Sequence, residues 1–358
     1  MKIKALQESL KKDGIDAALF LNLNSLGYDP NLFYFSSYSG VGALVVPKNK
    51  PPFLLVPKME YERAKKCSIR AVFSLDKKRL FDSVSEMLSK RKIRLKTAGI
   101  DHMSLSVGLF RAFRKSFRKK KIKDVSKICS KLRVLKTKEE IEIIKKSCFL
   151  TNRILNRCIS LLKKFDTESE VAAFLENETR KLGCELAFQP IVASGKNASM
   201  PHYQPRNVKL NKGFCVIDFG IKYKGYCSDI TRTVYLGKPS IKEKETYLYI
   251  LDVQEKALER IQQGGSCSEL YEFVKKSLGR YGQYFTHGLG HGIGVQIHEL
   301  PNLTDKSKDR FQEGMVFTVE PGVYISGKWG IRIEDDILLA GKKKRILTTV
   351  PKELKIVD

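Results

Sequence analysis

Nowhere in this chain do apolar residues run for the ~18 positions that a membrane-crossing helix requires, so no membrane span or membrane partner is expected. The opening stretch MKIKALQESLKKDGID sets Ile3, Leu6 and Leu10 between charges and has no apolar signal-peptide core. Cysteine is scattered rather than grouped: the eight residues between Cys67 and Cys267 form no CxxC pair. That excludes the usual zinc-knuckle and dithiol redox spacings, and reduced thiols in a cytoplasmic protein are expected. Acidic residues are in deficit, 39 against 66 Lys plus Arg, for a net charge of +27. Such a balance can attract nucleic acid or anionic surfaces, but the excess is spread along the chain. Its densest part, RAFRKSFRKKKIKD (111–124), is read as a solvated helix face, so nucleic acid should bind at most non-specifically. Short repeats and low-complexity tracts are missing too. What remains, 42% hydrophobic and 29% charged over 358 residues, is enough for two globular domains with their own cores.

Residues 1–123 alternate short apolar runs (AALFLNL, GALVVP, PFLLVP, KTAGID) with segments of helical spacing (MEYERAKK, LFDSVSEMLSKR, LSVGLFRAFRKSF). This predicts a small α/β domain. A basic bridge leads into a long helix over 137–163, opened by a Thr137/Glu140 capping box, and a second helix over 167–182. A hairpin region (213–236), two more helices, a glycine-rich stretch and the strands GMVFTVEPGVYI and GIRIEDDILL follow. Residues 124–358 therefore read as a second domain, with helices on a largely antiparallel sheet, and the whole chain is α+β.

Two hairpins each carry an acid in both arms. If Tyr223 and Lys224 form a two-residue turn, Asp218 stands opposite Asp229. A loop around Ser326, Gly327 and Lys328 sets Glu320 opposite Glu334. Opposed like charges destabilise a sheet, and an unpaired carboxylate is costly to bury. A cation between them resolves both. Histidine is scarce, at five residues, yet His287, His291 and His298 fall within twelve positions. His291 is the natural fifth ligand. The glycines of HGLGHGIG disfavour a helix, so this is a loop and not a helical HExxH zinc site. One divalent ion would half-neutralise four carboxylates, whereas two balance them. Carboxylates suit Mn²⁺ and similar ions, and imidazole also admits Co²⁺, Fe²⁺ or Zn²⁺. Paired ions ~3.5–4 Å apart can activate water as hydroxide and polarise a carbonyl. Thr231 is a candidate hydrogen-bond partner for the ligands.

Asp218, Asp229, His291, Glu320 and Glu334 resemble, in order and surroundings, the five metal ligands of the creatinase/methionine-aminopeptidase ("pita-bread") superfamily, M24. FQPIVASGKNASMPHYQP and the leading α/β domain make nearly the whole chain similar to the Xaa-Pro peptidase branch, aminopeptidase P and prolidase. That resemblance implies a creatinase-like N-terminal domain, a pita-bread catalytic domain, two metal ions, proline-containing peptides as substrates and a homodimer. It further implies that His202 hydrogen-bonds substrate near the scissile bond and that His298 steadies the carbonyl. His287 would line the proline pocket, Arg332 would orient substrate or ligands, and Glu320 would double as proton shuttle. Prolidases often carry an arginine shortly after the HE of the histidine loop, but here the run is HELPN, with Asn302 at that place. The expectation is therefore an Xaa-Pro aminopeptidase, with Xaa-Pro dipeptidase as the alternative. From another class, a ligand-free binding module of the same fold is disfavoured because all five ligands are present. A methionine aminopeptidase is disfavoured by the leading domain and EPGVY; creatinase is not excluded by chemistry alone.

Overall fold

The computed structural model describes residues 2–23, 27–75, 79–341 and 343–358. It divides into two compact units, the first ending at Leu132 and the second running from Arg133 to Asp358. The expected boundary at 123/124 moves by nine residues for a structural reason. Lys121–Asp124 is the edge strand of the first unit's sheet, paired in parallel with Thr97–Ile100.

That first sheet has six strands, in the spatial order Val72–Leu75, Phe53–Pro57, Gly42–Pro47, Ala17–Asn22, Thr97–Ile100 and Lys121–Asp124. The expected apolar runs form its interior; the strands Ala17–Asn22, Gly42–Pro47 and Thr97–Ile100 are buried along their whole length because helices cover the sheet. Val72–Leu75, Lys121–Asp124 and the helix Pro30–Ser36 were not expected. The first two are short edge strands with weak patterns. The basic run at 111–124 is helix as far as Ser116, a turn, and then the edge strand Lys121–Asp124. Phe113 and Phe117 point into the core, while Arg111, Arg114, Lys115, Arg118 and Lys119 are exposed. Its charges are thus solvated, as read from the sequence.

In the second unit the long helix spans Lys138–Ser160. Its capping box is complete: Glu140 N–H donates to Thr137 Oγ1 at 3.3 Å and Thr137 N–H to Glu140 Oε2 at 2.8 Å. One four-stranded sheet runs Ile356–Val357, Ile230–Leu236, Gly213–Phe219, Ile191–Ser194; a five-stranded one runs Glu299–Leu303, Gly290–Gly292, Val316–Val319, Asp335–Ala340, Lys343–Ile346. Except for the parallel Tyr235–Ile356 pairing, these ladders are antiparallel.

The two acid hairpins behave differently. In the first, the turn residues are Lys224 and Gly225, both at positive φ (48° and 82°), as a two-residue type I′ turn requires. The register therefore places Thr231, not Asp229, opposite Asp218. A displacement of two residues along one strand keeps the side chains on the same face, so both acids still serve one site. In the second, Ile325 pairs with Trp329 around the expected three-residue loop. The expected continuous strands are each broken at the glutamate. Val316–Val319 and Gly322–Ile325 flank Glu320-Pro321, and Trp329–Arg332 and Asp335–Ala340 flank Ile333-Glu334. At these breaks Glu320 N–H donates to Leu289 O (2.8 Å) and Glu334 N–H to Thr231 O (3.2 Å). Both glutamates thus sit where the chain passes from one sheet to another.

Replacing Thr137 by Ala should cost about 1 kcal/mol through the lost cap, lowering the calorimetric Tm by roughly 2–4 °C for a domain of this size. An unchanged Tm would show that the cap does not stabilise this helix.

Candidate active site

Each ligand candidate is held by a different piece of the second unit. Asp218 lies on Gly213–Phe219, Asp229 leads into Ile230–Leu236, and His291 is the middle residue of Gly290–Gly292. Glu320 and Glu334 occupy the two strand breaks. Glycines on both sides of His291 are required by close approach: a Cβ at 290 would overlap the Thr318 carbonyl, and one at 292 the Leu300 carbonyl. These five residues, with His202, His287, His298 and Arg332, line a single cavity of about 450 Å³. The structure thus brings all nine expected residues together.

Asp229, His291 and Glu334 each place a ligand-capable atom within 4.8 Å of the others. His291 Nε2 lies 3.5 Å from Glu320 Oε1 and 3.7 Å from Asp229 Oδ2. Burial, then the charges of Glu334 and Asp218, push the Asp229 carboxyl well above the usual carboxylate range. Burial, then Glu320 and Asp218, do the same to Glu334. Burial also pushes Glu320 up to about 7, against the opposing pull of Arg332. His291 is pushed down to about 3, by burial and then by His298, which keeps its imidazole neutral and able to donate a lone pair. Oδ1 of Asp218 and Oδ1 of Asp229 are buried with no hydrogen-bond partner. Crowded carboxylates, two orphaned oxygens and a neutral imidazole are the donor set that divalent cations complete.

A surrounding layer holds these groups in place. Thr231 Oγ1 donates to Glu334 Oε2 at 2.7 Å and accepts from Arg332 Nε at 3.1 Å, so it serves Glu334 rather than Asp229. Thr318 Oγ1 donates to Glu320 Oε1 (3.1 Å) and accepts from His291 N–H (3.1 Å). Arg332 binds Asp218 Oδ2 at 2.7 Å, Tyr324 Oη at 2.6 Å and Pro201 O at 3.3 Å. Its five N–H donors are therefore largely engaged by protein. Tyr324 Oη also lies 3.0 Å from His287 Nε2. The His298 ring stands edge-on to His291, with centroids 4.3 Å apart. His202 is exposed at the cavity lining.

Three participants escaped the sequence reading. Asp336 Oδ2 accepts from Asp229 N–H at 2.9 Å and from Cys148 Sγ at 3.3 Å, and burial pushes its carboxyl up to about 8. Glu299 is paired with the buried Lys136 (3.3 Å) and Arg133 (3.2 Å) beside His298. Tyr324 joins Arg332 to His287. The only available signal was the acid run EDD following Arg332 and Ile333, and the E of HE.

Comparison with known proteins gives the same picture. The Metallopeptidase family M24 description matches residues 142–340, and the Creatinase/Prolidase N-terminal domain matches residues 2–135. The chain belongs to metallopeptidase family M24. It is 36% identical to the Xaa-Pro dipeptidase of Pyrococcus furiosus over 329 residues, 90% of this chain and 92% of that one. Among solved structures, the prolidase of Pyrococcus horikoshii superposes with a TM-score of 0.89 at 34% identity, covering 99% of both chains. The X-Pro aminopeptidase of Thermotoga maritima gives 0.88 at 34%, covering 98% of this chain and 100% of that one. This M24 protein is thus a metallopeptidase with a creatinase-type leading domain and a pita-bread catalytic domain. Thr231→Val should weaken divalent-metal affinity ~10–100-fold while leaving the fold intact; unchanged affinity by metal titration would mean Thr231 does not orient Glu334.

Proposed function

We propose that this metallopeptidase hydrolyses the bond between an N-terminal residue and a following proline, acting on Xaa-Pro dipeptides. The convergence of Asp218, Asp229, His291, Glu320 and Glu334 on one cavity carries the reaction class. The dipeptide preference is supported by the relatives named Xaa-Pro dipeptidase, at 34–36% identity over most of the chain, and it replaces the aminopeptidase expected from HELPN.

Those five residues would hold two divalent ions, for which Mn²⁺ or Co²⁺ suits the carboxylate-rich set. When bound, such ions activate water and polarise the attacked carbonyl. The chain's own groups do the rest. Glu320 Oε1 is tied to Thr318, and Oε2 lies 3.9 Å from His287 Nδ1. Glu320 would take a proton from the attacking water and return it to the proline nitrogen as the C–N bond breaks. His298 and His202 would hydrogen-bond the peptide carbonyl and the substrate backbone. His287 would bound the space for the proline ring, and Arg332 would hold the Asp218 carboxylate in orientation through its 2.7 Å contact.

A specific observation keeps the aminopeptidase as a second reading. Among the described residues lining the cavity, Arg332 is the one Lys or Arg, and its donors are engaged by Asp218, Tyr324, Thr231 and Pro201. A dipeptide's terminal carboxylate would then be met by neutral groups. Steady-state kcat/KM for Ala-Pro, Ala-Pro-amide and Ala-Pro-Ala separates the two. Ala-Pro is expected to be the best substrate, and all activity should vanish on chelation and return with Mn²⁺ or Co²⁺. Preference for Ala-Pro-Ala would establish the aminopeptidase, and full activity in metal-free protein would overturn the metallopeptidase mechanism itself.

A further inference from the structure

A second cavity, of about 570 Å³, lies in the catalytic unit away from the ligand residues. It is bounded by the Gly195–Ser199 turn, the start of Gly213–Phe219, the Lys238–Ser240 segment and the hairpin tip at Lys328 and Trp329. Four lysines line it: Lys196, Lys212, Lys238 and Lys328. All four are exposed, and among the described residues none forms a salt bridge within 4.0 Å, although Lys212 is close enough to Glu243 to be attracted by it. Among the described residues Glu243 is the one carboxylate in the lining; it accepts from Ser240 N–H at 2.8 Å, Ser240 Oγ at 2.7 Å and Tyr235 Oη at 2.8 Å, and the Lys212 charge also attracts it.

Glycines in the lining (Gly195, Gly213) and beside it (Gly237) shape the backbone here. Gly195, Gly213 and Gly237 all take positive φ (57°, 118° and 82°). A Cβ on Gly195 would meet Asn211 Cβ at 2.8 Å, and one on Gly237 the Lys212 stem at 3.2 Å. Larger residues at these positions would be strained by their positive φ. The Lys212 stem therefore lies against backbone, which limits the rotamer freedom it would lose on binding a ligand. Trp329, half-buried against Phe214 and Tyr281, closes one side.

We propose that this cavity binds a small anion carrying two or more phosphate groups. Four lysine side chains around one concavity give it a positive field, which concave walls focus. A single carboxylate would leave most of that charge uncompensated, whereas a di- or triphosphate matches it. The adjoining helix terminus is not the source of attraction, because Ser240 and Glu243 already cap it. The charge run at 111–124 differs in kind, since its cations stand on an exposed helix and edge strand. The shared ligand chemistry is the polyphosphate, which an inorganic chain or a nucleoside triphosphate can supply.

Calorimetric titration of the full-length, metal-loaded protein with tripolyphosphate and, separately, ATP at 150 mM salt tests this. Bound metal is counted after each titration so that stripping of the catalytic ions is not read as binding. Saturable binding is expected, weakened roughly threefold to fivefold by each of Lys212→Ala and Lys328→Ala and unaffected by Lys119→Ala/Lys121→Ala. Equal affinity for the two probes would assign recognition to the phosphates alone, and tighter ATP binding would add a contact from the ring at Trp329. The proposal is overturned if no saturable binding occurs, or if the cavity variants bind as tightly as the parent. These titrations read binding and not peptide hydrolysis, so their outcome is independent of the substrate assignment.

Discussion

Mutual repulsion among buried carboxylates is the constraint around which the catalytic unit is built. Asp218, Asp229, Glu320 and Glu334 face one cavity, with Asp336 immediately behind Asp229. Among the described residues, Arg332 is the guanidinium paired with one of these carboxylates, at Asp218. Leaving charges of one sign this close and this dry is unfavourable unless cations are supplied. The architecture accepts that cost at defined points. Two strands break so that Glu320 and Glu334 can turn inward, and glycines flank His291 because the neighbouring carbonyls leave no room for a Cβ. Threonine hydroxyls at 231 and 318 take up the carboxylate oxygens that would otherwise be free to rotate away. The site is prepared for metal by the same features that destabilise it without metal.

Much of this could be read in the residues themselves, and the exceptions have physical causes. The Ser326-Gly327-Lys328 loop was legible because its length and its central glycine leave one natural centre, and the pairing of Ile325 with Trp329 follows. The first hairpin was misplaced by one residue at its turn. Lys224 adopts positive φ there, which a lysine rarely does, and the Asn-Gly or Asp-Gly signal that marks such turns is absent. The break at Glu320 carried a sequence signal in Pro321-Gly322 that was overridden by the apolar residues on either side, whereas RIED continues its flanks and only the tertiary demand on Glu334 interrupts it. The domain boundary slipped because KIKD is too polar to read as a strand, yet backbone pairing with Thr97–Ile100 fixes it. That these nine residues would meet in one cavity was legible from pairing and clustering together with family resemblance. Asp336, Glu299 and Tyr324 were not, because their partners lie far off in sequence: Cys148, Lys136 and Arg133, and His287 respectively.

The overall charge and the site charge have opposite signs, and both have consequences. The net +27 favours approach of anionic solutes over the long range, whereas the cavity itself favours cations. Polyphosphates and metal ions are thereby directed to different parts of the same unit. The lysine-lined cavity shares the Gly195–Ser199 turn and the Trp329–Arg332 strand with the segments that carry His202 and Arg332. Ligand contact at one site thus reaches backbone that frames the other.

The most direct test of the carboxylate cluster as a metal centre is thermal unfolding of metal-stripped protein with and without Mn²⁺, for the parent and for Asp229→Asn. Ionised Asp229 opposes the stripped fold, because its folded-state pKa is raised and proton loss at neutral pH is disfavoured there. The stripped Asp229→Asn variant should therefore unfold at a higher temperature than the stripped parent. Mn²⁺ at about 100 times its Kd should stabilise the parent by roughly 2.7 kcal/mol and the variant by far less. A parent whose unfolding is indifferent to Mn²⁺, or a variant that is less stable than the parent when both are stripped, would contradict it.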